Sequence, residues 1–384
     1  MLYWRLSSFY FFFFATLGAL LPYWGLYLQS LGYTPLQIGQ MMAVIMATKI
    51  VSPNIWGWIA DHTGRRMTVV RTGALLALFA FGGVFLAESF GWLLLVMLAY
   101  SFFWNAALPQ FEANTFNHLG REEHRYSSIR LWGSVGFIIA VAGLGALFDV
   151  TGPGLLPIAM IFLLGGIWLS SLSVPERAAP GAAHDHPPLR RVLARPAVIG
   201  LLLICFLMQA SHGPYYTFFT IYMGEHGYSG TVIGQLWALG VVAEVGVFLI
   251  MHRLVPRFGL RLLLLASLAL ASLRWVLIGL APENLPLLIL AQLLHAATFG
   301  VYHAAAIQLI HGYFTGPNQG RGQALYSSLS FGAGGAAGGL YSGFAWDTLG
   351  SSFTFLTAAA VSTLALGMAW WLIPQRRTVA ALAQ

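Results

Sequence analysis

Long apolar segments separated by short polar turns set the pattern of this chain. Twelve can be placed, at residues 4–30, 37–59, 67–87, 91–115, 128–148, 155–173, 197–223, 231–253, 262–281, 285–311, 322–345 and 351–373. A helix that rises about 1.5 Å per residue needs about 20 residues to cross a hydrocarbon core roughly 30 Å thick. The pattern therefore predicts an all-α integral membrane protein with twelve transmembrane helices.

Composition supports this interpretation, and the loop charges orient the helices. Of the 384 residues, 58% are hydrophobic and 8% are charged, with a mean hydropathy of +0.74. Lys and Arg cluster on one side of the predicted membrane, whereas the opposite loops carry only acids, at Glu88, Asp149, Glu225, Glu283 and Asp347. The positive-inside rule then places both termini in the cytoplasm, and we expect a bacterial inner membrane protein. The net charge of +7 is explained by this topology and indicates no nucleic-acid partner.

The chain also contains an internal duplication. Residues 32–66 recur at an offset of 195, which matches Gly32-Tyr33, Ile38-Gly39-Gln40, Gly64 and Arg66 with Gly227-Tyr228, Ile233-Gly234-Gln235, Gly259 and Arg261. We predict two parallel six-helix repeats, residues 1–174 and 197–384, joined by a cytoplasmic linker at 175–196. A His184-Asp185-His186 run inside the linker lacks a third ligand, so no metal site is predicted there.

Further matches extend the duplication toward the end of each repeat. Tyr126-Ser127-Ser128 corresponds to Tyr326-Ser327-Ser328 at an offset of 200, and Asp149 corresponds to Asp347 at an offset of 198. Glycine-rich faces on the fifth and eleventh segments predict close helix packing, because small residues let membrane helices approach.

Charges inside the apolar segments mark the candidate site, since charge in a bilayer is costly and is usually retained for a task. Lys49 and Glu244 occupy equivalent positions in the two repeats, each near mid-membrane. We expect Lys49 to contact an anionic substrate or to pair with a buried acid, either Glu112 or Glu244. Glu244 is the predicted proton carrier, because a carboxyl group whose cationic partner comes and goes changes its proton affinity.

The balance of buried charge points to the kind of substrate. The predicted buried charges are three cations (Lys49, Arg130 and Arg274) and two acids (Glu112 and Glu244). This surplus of positive charge favours an anionic substrate. Aromatic residues predicted to line the same cavity are Tyr23, Tyr100 and Trp104.

The loop between the second and third segments carries a recognisable signature. Gly57-Trp58-Ile59-Ala60-Asp61-His62-Thr63-Gly64-Arg65-Arg66 resembles the G-x-x-x-D-[RK]-x-G-[RK]-[RK] motif of the major facilitator superfamily, with His62 as the departure. The resemblance implies two halves that alternate access to a central site. It also implies a conformational latch in which Asp61 pairs with basic residues or with a helix N-terminus, formed by Gly57, Asp61, Gly64, Arg65 and Arg66.

A second resemblance is to the lactose permease family of oligosaccharide/proton symporters. It rests on Asn105-Ala106, Pro109 and Glu112, followed by Arg130 and Gly133, and it implies that Glu112 and Arg130 contact substrate. Phe137 stands where those carriers have a Trp that stacks on the sugar. Arg274 and His295 resemble the family's proton-coupling pair, with Thr298 in place of its Glu. Phenylpropionate-permease-like members fit better, at Arg274-Trp275 and Leu294-His295-Ala296.

These observations predict a secondary transporter rather than an enzyme. The expected activity is proton-coupled symport, in the uptake direction, of a small aromatic or other organic carboxylate. Substrate contacts are expected from Lys49, Glu112, Arg130, Tyr100, Trp104 and Tyr23, and proton coupling from Glu244, Arg274 and His295. The proton gradient would supply the energy without a cofactor, to a monomer in the lipid bilayer. Two alternatives remain, a sugar or nucleoside proton symporter and a drug/proton antiporter.

Overall fold

Helices make up the regular structure of this chain. A computed structural model describes residues 2–177, 189–315 and 318–373, and no strand occurs in these ranges. The α-helices are α1 (Leu2–Ser30), α2 (Pro35–Thr63), α3 (Arg66–Gly82), α4 (Phe90–Leu119), α5 (Tyr126–Thr151), α6 (Leu156–Leu172), α7 (Leu189–Leu193), α8 (Pro196–Ser211), α9 (Gly213–Glu225), α10 (Gly230–Leu280), α11 (Leu285–Leu293), α12 (Tyr302–Tyr313), α13 (Gln319–Ser327), α14 (Gly335–Leu349) and α15 (Ser351–Leu372). Two π-helical segments, Ala296–Val301 and Ser328–Gly334, lead into α12 and α14.

The predicted all-α membrane fold is confirmed. Within the described ranges, nine helical stretches are long and apolar enough to cross a membrane by length and composition. One of them, α10, runs for 51 residues but turns sharply at Gly259, where φ is 75° and ψ is 157°, so it contains two of the predicted spans. The count of twelve crossings stays a prediction.

Local sequence explains where α2 begins and ends. The Thr34 hydroxyl accepts a hydrogen bond from Gln37 N at 3.3 Å, and Gln37 Oε1 accepts one from Thr34 N at 3.0 Å. This reciprocal capping box satisfies two N–H groups that a helix start leaves without partners. At the other end Gly64 adopts φ 65°, a left-handed conformation that glycine reaches without steric cost. The helix end at Gly64 therefore lies within the loop signature, which begins inside α2 at Gly57.

In each repeat, an arginine side chain donates hydrogen bonds to the backbone carbonyl groups at the end of the last helix. Arg71 on α3 donates to two carbonyls at the end of α6, including Val174 O at 2.8 Å from Nη2. Arg261, just after the turn in α10, donates to Ile373 O at 2.7 Å and to Trp370 O at 2.8 Å. Since the last carbonyls of a helix have no partner within it, each arginine satisfies groups that would otherwise lack one.

Contacts divide the chain into two compact units, and each is described by itself. Unit 1 contains α1 to α6 together with residues 216–238, and unit 2 contains α7, α8 and the chain from 239 onward. In unit 1, α1 and α5 pack at backbone distance, because a Cβ on Gly136 would lie 2.2 Å from Phe11 O. In unit 2, buried side chains of α8 and α15 share one core with Tyr302 of α12.

The predicted repeat boundaries divide the chain differently, since residues 216–238 belong to the second repeat in sequence and to unit 1 by packing. The boundaries at 174 and 197 stay a prediction. The His184-Asp185-His186 run lies outside the described residues.

Within unit 1, the end of α5 meets the start of α10 very closely. The Asp149 carboxylate accepts hydrogen bonds from Gly230 N at 2.5 Å, Thr231 N at 2.9 Å and Thr231 Oγ1 at 2.6 Å. A Cβ on Gly145 would lie 2.2 Å from Gly230 O, so glycine permits this approach. A carboxylate at a helix start satisfies its N–H groups and complements its partial positive charge. Asp149 therefore caps α10.

Candidate functional site

Arg274 is the centre of a buried polar network in unit 2. Its side chain is 0% exposed. The guanidinium donates from Nε to Ala291 O at 2.9 Å, from Nη2 to Gln292 Oε1 at 3.2 Å and from Nη1 to Thr298 Oγ1 at 3.3 Å. Nη1 also lies 3.1 Å from His295 Nδ1. A buried charge needs this density of partners, because it has lost its water.

Two aromatic rings complete the surroundings of Arg274. The guanidinium carbon lies 4.2 Å from the ring centre of Tyr215 and 4.7 Å from that of Trp275. The Tyr215 hydroxyl donates to Gln292 Oε1 at 2.9 Å, so the same amide oxygen receives bonds from Tyr215 and Arg274. Cation–π contact adds to the hydrogen bonds and holds the guanidinium plane in place.

The contact with Arg274 determines the protonation state of His295. Arginine has donors and no acceptor, so His295 Nδ1 must accept and carries no proton. The proton of the neutral ring is then on Nε2, which lies 3.5 Å from Glu244 Oε2. Arg274, His295 and Glu244 thus form a chain in which a neutral imidazole stands between a cation and a carboxylate. The structure brings the three predicted proton-coupling residues together.

Local backbone features make room for the side chains of His295 and Glu244. His295 immediately precedes the π-helical segment Ala296–Val301, and such segments are often found at functional sites. A Cβ on Gly300 would lie 3.3 Å from Glu244 Cγ and 2.8 Å from Val247 Cγ1, so glycine lets α10 approach the segment. A Cβ on Gly240 would lie 3.4 Å from His295. Two glycines therefore help to seat the imidazole and the carboxylate.

The predicted Glu112 and Arg130 lie in unit 1 but do not form a salt bridge there. Glu112 Oε1 accepts a hydrogen bond from the Tyr126 hydroxyl at 3.0 Å. Arg130 lies instead over the ring of Phe14, 3.7 Å from its centre. Within unit 1 no described residue accepts a hydrogen bond from the Arg130 guanidinium. The N–H groups of the half-buried Arg130 guanidinium are therefore available to a ligand or to water.

Lys49 lies on α2, half-buried, next to Thr48. Asn105 Nδ2 donates to Thr48 Oγ1 at 2.9 Å, which links α4 to α2 at this level. Among the described residues of unit 1, none accepts a hydrogen bond from the Lys49 amine or places a carboxylate within ion-pair distance of it. The alternative of a fixed Lys49–Glu112 pair is therefore not observed.

The three predicted cavity aromatics are buried in unit 1. Trp104 stacks on Phe13 with ring centres 4.7 Å apart, and Tyr100 stacks on Trp104 at 5.9 Å. The Tyr100 hydroxyl and the Trp104 indole N–H lack a hydrogen-bond partner among the described residues. The Tyr23 hydroxyl, in contrast, donates to Val141 O at 2.6 Å and ties α1 to α5. Substrate contact by all three stays a prediction.

The loop signature forms a network of its own. Asp61 Oδ1 pairs with Arg66 Nη2 at 2.8 Å, and Arg66 Nη1 donates to Gln110 Oε1 at 3.0 Å. Gly57 faces the same amide, because a Cβ there would lie 3.6 Å from Gln110 Nε2. Arg65 is exposed. Pairing of Asp61 with a basic residue agrees with the predicted latch geometry, while the latch role stays a prediction.

The N-terminus of α3 is capped by an acid that the sequence did not single out. Glu176 accepts a hydrogen bond from Arg66 N at 3.1 Å and another from Met67 N at 2.7 Å. Glu176 is 110 residues away from Arg66 along the chain, so no local spacing pointed to it. The end of α6 is thereby attached to the signature loop.

Gln292 and Tyr126 are two further site residues that the prediction lacked. Gln292, His295 and Thr298 recur every third residue, and this spacing places them along one helical face. That periodicity was the available signal for Gln292. The sequence signal for Tyr126 was the duplication, because Tyr326 is its counterpart in the second repeat.

Comparison with known proteins agrees with this architecture. Residues 3–357 match the model of the MFS_1 like family. The chain is 31% identical over 353 residues to a probable 3-phenylpropionic acid transporter of Escherichia coli (strain K12), which covers 91% of this chain and 92% of the relative. It is 27% identical over 331 residues to a maltose permease of Geobacillus stearothermophilus, covering 85% and 83% of the two chains.

A solved structure supports the fold alone. The crystal structure of the nucleoside transporter NupG matches with a TM-score of 0.83 and 16% sequence identity, covering 98% of this chain and 100% of that chain. The family match over residues 3–357 and the 31% identity to the Escherichia coli relative show that the chain belongs to the MFS_1 like family of major facilitator superfamily transporters.

Proposed function

We propose that this protein is a proton-coupled symporter that takes up a small aromatic carboxylate by alternating access. The observation that carries the proposal is the contrast in how the buried cations are neutralised. Arg274 in unit 2 is surrounded by acceptors. Lys49 and Arg130 in unit 1 have no acid within ion-pair distance among the described residues of that unit.

Two cations without an acid at ion-pair distance among the described residues of unit 1 favour an anionic ligand. A charge in a membrane interior is stable only when it is paired or hydrated, so a substrate carboxylate would stabilise Lys49 or Arg130 on binding. The planar fork of Arg130 suits a carboxylate, which it can bind through two parallel hydrogen bonds. The half-buried Phe14 beneath the guanidinium offers apolar surface for a ring. An aromatic carboxylate satisfies both kinds of group.

The chain from Arg274 through His295 to Glu244 supplies the proton site. With Glu244 ionised, the neutral His295 donates toward the carboxylate and accepts from Arg274. When Glu244 takes up a proton it loses its charge, so the electrostatic link through His295 to Arg274 weakens. This link is stronger when Glu244 is ionised than when it is protonated. Proton binding at Glu244 can therefore shift the equilibrium between two conformations.

The name of a relative agrees with this substrate class. The Escherichia coli protein that is 31% identical to this chain is described as a probable 3-phenylpropionic acid transporter, and that compound is a small aromatic carboxylate. We extend the substrate class, the proton coupling and the uptake direction to this chain as parts of the proposal. An inner membrane location with cytoplasmic termini is part of it too.

The test is substrate-driven proton movement in proteoliposomes. Adding 3-phenylpropionate outside should make the external solution more alkaline, because protons enter with the substrate. Glu244→Gln should abolish this signal, while Glu283→Gln, a change in the exposed turn before α11, should preserve it. An absence of alkalinisation with every aromatic carboxylate tried would overturn the proposal, as would full proton coupling in Glu244→Gln.

One observation supports a second candidate, a sugar or nucleoside proton symporter. Glu112 and Arg130 lie on neighbouring helices without pairing, so one offers an acceptor and the other offers donors to ligand hydroxyl groups. The maltose permease relative is named for a sugar. Competition assays separate the two candidates: inhibition of uptake by glycosides or nucleosides, and not by carboxylates, decides for the second.

A further inference from the structure

The duplicated tyrosines hold a titratable side chain in each repeat. Tyr126, at the start of α5, donates to Glu112 on α4 at 3.0 Å. Tyr326, its counterpart in the second repeat, lies on α13 with its hydroxyl 3.0 Å from His303 Nδ1 on α12. In both repeats the partner belongs to the helix that precedes the tyrosine. His303 and Glu112 thus share a tyrosine partner on the following helix, although that partner is 23 residues away from His303 and 14 residues away from Glu112.

His303 is also connected to the proton site along its own helix. The rings of His295 and Phe299 are nearly parallel, at 12°, with centres 5.4 Å apart. The rings of Phe299 and His303 follow at 9° and 6.1 Å. The three side chains thus lie on one face, stepping away from Glu244. By the predicted topology this direction leads toward the cytoplasm.

The two histidines differ in what their partners allow. His295 Nδ1 faces a guanidinium, which has only donors, so a proton cannot be added at Nδ1 while Arg274 stays bound. His303 Nδ1 faces a hydroxyl, which can either donate to a neutral imidazole or accept from a protonated one. His303 can therefore gain a proton and keep its partner. His295 cannot.

We propose that His303 is a second protonation site of the transport cycle, which receives the proton released by Glu244 before it enters the cytoplasm. The inference rests on the proton coupling proposed above. The Glu244 O–H bond breaks, water in the opened pathway carries the proton, and a new N–H bond forms at His303 Nδ1. The Tyr326 hydroxyl turns from donor to acceptor. His303 then loses the proton to bulk water and the neutral imidazole is restored.

Two tyrosines and a cysteine lie in the cluster around His303 in the described part of unit 2. Tyr326 binds it from α13, and Tyr302 and Cys205 interact with Tyr326 from α12 and α8. Phe331, from the second π-helical segment, packs against the imidazole with ring centres 5.8 Å apart. Tyrosine and cysteine stay neutral in a buried apolar setting near neutral pH, so the pH response assigned to this cluster belongs to the imidazole.

The decisive variant is His303→Gln, with His311→Gln as its control. Glutamine keeps hydrogen-bonding capacity but does not titrate near neutral pH. His311 lies on the same helix, 3.4 Å from Gln323 Oε1. In proteoliposomes, His303→Gln should exchange labelled for unlabelled 3-phenylpropionate within about twofold of the wild type. Its net uptake under an inward proton gradient should fall by about tenfold or more, since a positioned proton-transfer group contributes at least that much. His311→Gln should change neither rate.

Tyr326→Phe provides a second variant that keeps the imidazole. Removing the acceptor destabilises protonated His303, so the pH profile of net uptake should move toward lower pH while exchange continues. The proposal is overturned if His303→Gln retains wild-type net uptake. A parallel loss of exchange and net uptake also overturns it, because the residue would then serve substrate binding or folding.

A substrate-free measurement separates this inference from the proposed function. We expect the melting temperature of the purified wild type to vary between about pH 5 and 8, where an imidazole titrates. His303→Gln should flatten that variation and His311→Gln should preserve it. If the wild type takes up no carboxylate, the proposed function fails, and the melting series still decides whether His303 titrates. An unchanged series in His303→Gln rejects the site.

Discussion

Arg130 and Arg274 show how differently two parts of this molecule treat the same side chain. Arg274 makes hydrogen bonds to a backbone carbonyl, an amide and a hydroxyl, and it lies against two aromatic rings. Arg130 also lies near two rings, those of Phe14 and Tyr10, but its guanidinium has no described hydrogen-bond acceptor within unit 1. Unit 2 thus provides hydrogen-bond acceptors for its buried Arg274 guanidinium, whereas unit 1 leaves the N–H groups of Arg130 available to a ligand.

This contrast separates two demands on a coupled transporter. A substrate site must have groups whose hydrogen bonds are completed by the substrate, since groups already satisfied gain nothing from it. A proton site instead needs a fixed set of partners, so that adding one proton changes a defined balance. We infer that, of the two repeats predicted from the sequence, one kept its donors open and the other became filled with its own polar partners.

Replacing each arginine by lysine should give the largest difference between the two units. Arg274→Lys keeps the charge but cannot reach all the acceptors, and each buried group left unsatisfied costs about 1–3 kcal/mol. We expect a clear fall in melting temperature and loss of net transport. Arg130→Lys should leave the melting temperature nearly unchanged and raise the KM for carboxylates. Thermal unfolding in detergent measures both variants, and equal destabilisation would contradict the comparison.

Lys49→Met tests whether the second unpaired cation binds substrate. Losing one charge-assisted hydrogen bond costs about 2 kcal/mol, so the KM for 3-phenylpropionate should rise by more than tenfold. The maximum rate should change little if the interaction is the same in the ground and transition states. Stability should hold or improve, because a half-buried charge is removed. A lower melting temperature with unaltered KM would assign Lys49 a structural role.

Asp149→Asn and Asp347→Asn compare equivalent acids in the two repeats. Asp149 caps α10 through three hydrogen bonds, and losing a capping carboxylate costs about 1 kcal/mol. Asp347 is exposed, and no described residue bonds its side chain. We therefore expect a lower melting temperature for Asp149→Asn alone. Equal melting curves for the two variants would show that the cap contributes no stability.

Glu176→Gln should have the smallest effect. The amide oxygen can still accept from one N–H of α3, so the loss is chiefly the charge–dipole interaction, about 0.5 kcal/mol at an exposed site. The expected result is a small fall in melting temperature that disappears at high salt, where the interaction is screened. An effect as large as that of Asp149→Asn would mean that Glu176 also holds the end of α6 in place.

The sequence predicted the membrane class correctly, and it drew attention to the charged residues of the candidate site. The apolar segments predicted the helical fold, and the equivalent positions of Lys49 and Glu244 drew attention to the charges. Resemblance to known symporters added Arg274 and His295, and the structure places His295 between Arg274 and Glu244. The fold prediction succeeded because hydrophobic length leaves a direct mark on sequence. The roles assigned to the buried charges stay predictions.

The hydrogen-bond partners of the site residues could not be predicted from the sequence in the same way. The link of Glu112 to Tyr126, and not to Arg130, depends on side-chain orientation in three dimensions. The cap on α3 comes from Glu176, far along the chain. The π-helical segment after His295 changes which side chains face Arg274, and a search for a 3.6-residue period does not reveal it. Distance along the chain and irregular helix geometry thus set the limit of prediction.

Glu244 has a consequence for the energetics of uptake. In the sequence it is the one acid deep inside the second repeat, so the proposed cycle carries one proton through this site. One proton moving with one monocarboxylate anion transfers no net charge across the bilayer. Membrane voltage acts on a net charge with about 2.3 kcal/mol per 100 mV, so it would leave this step unaffected. Accumulation of the acid would then follow the pH difference across the membrane, and dissipating the voltage alone would not stop it.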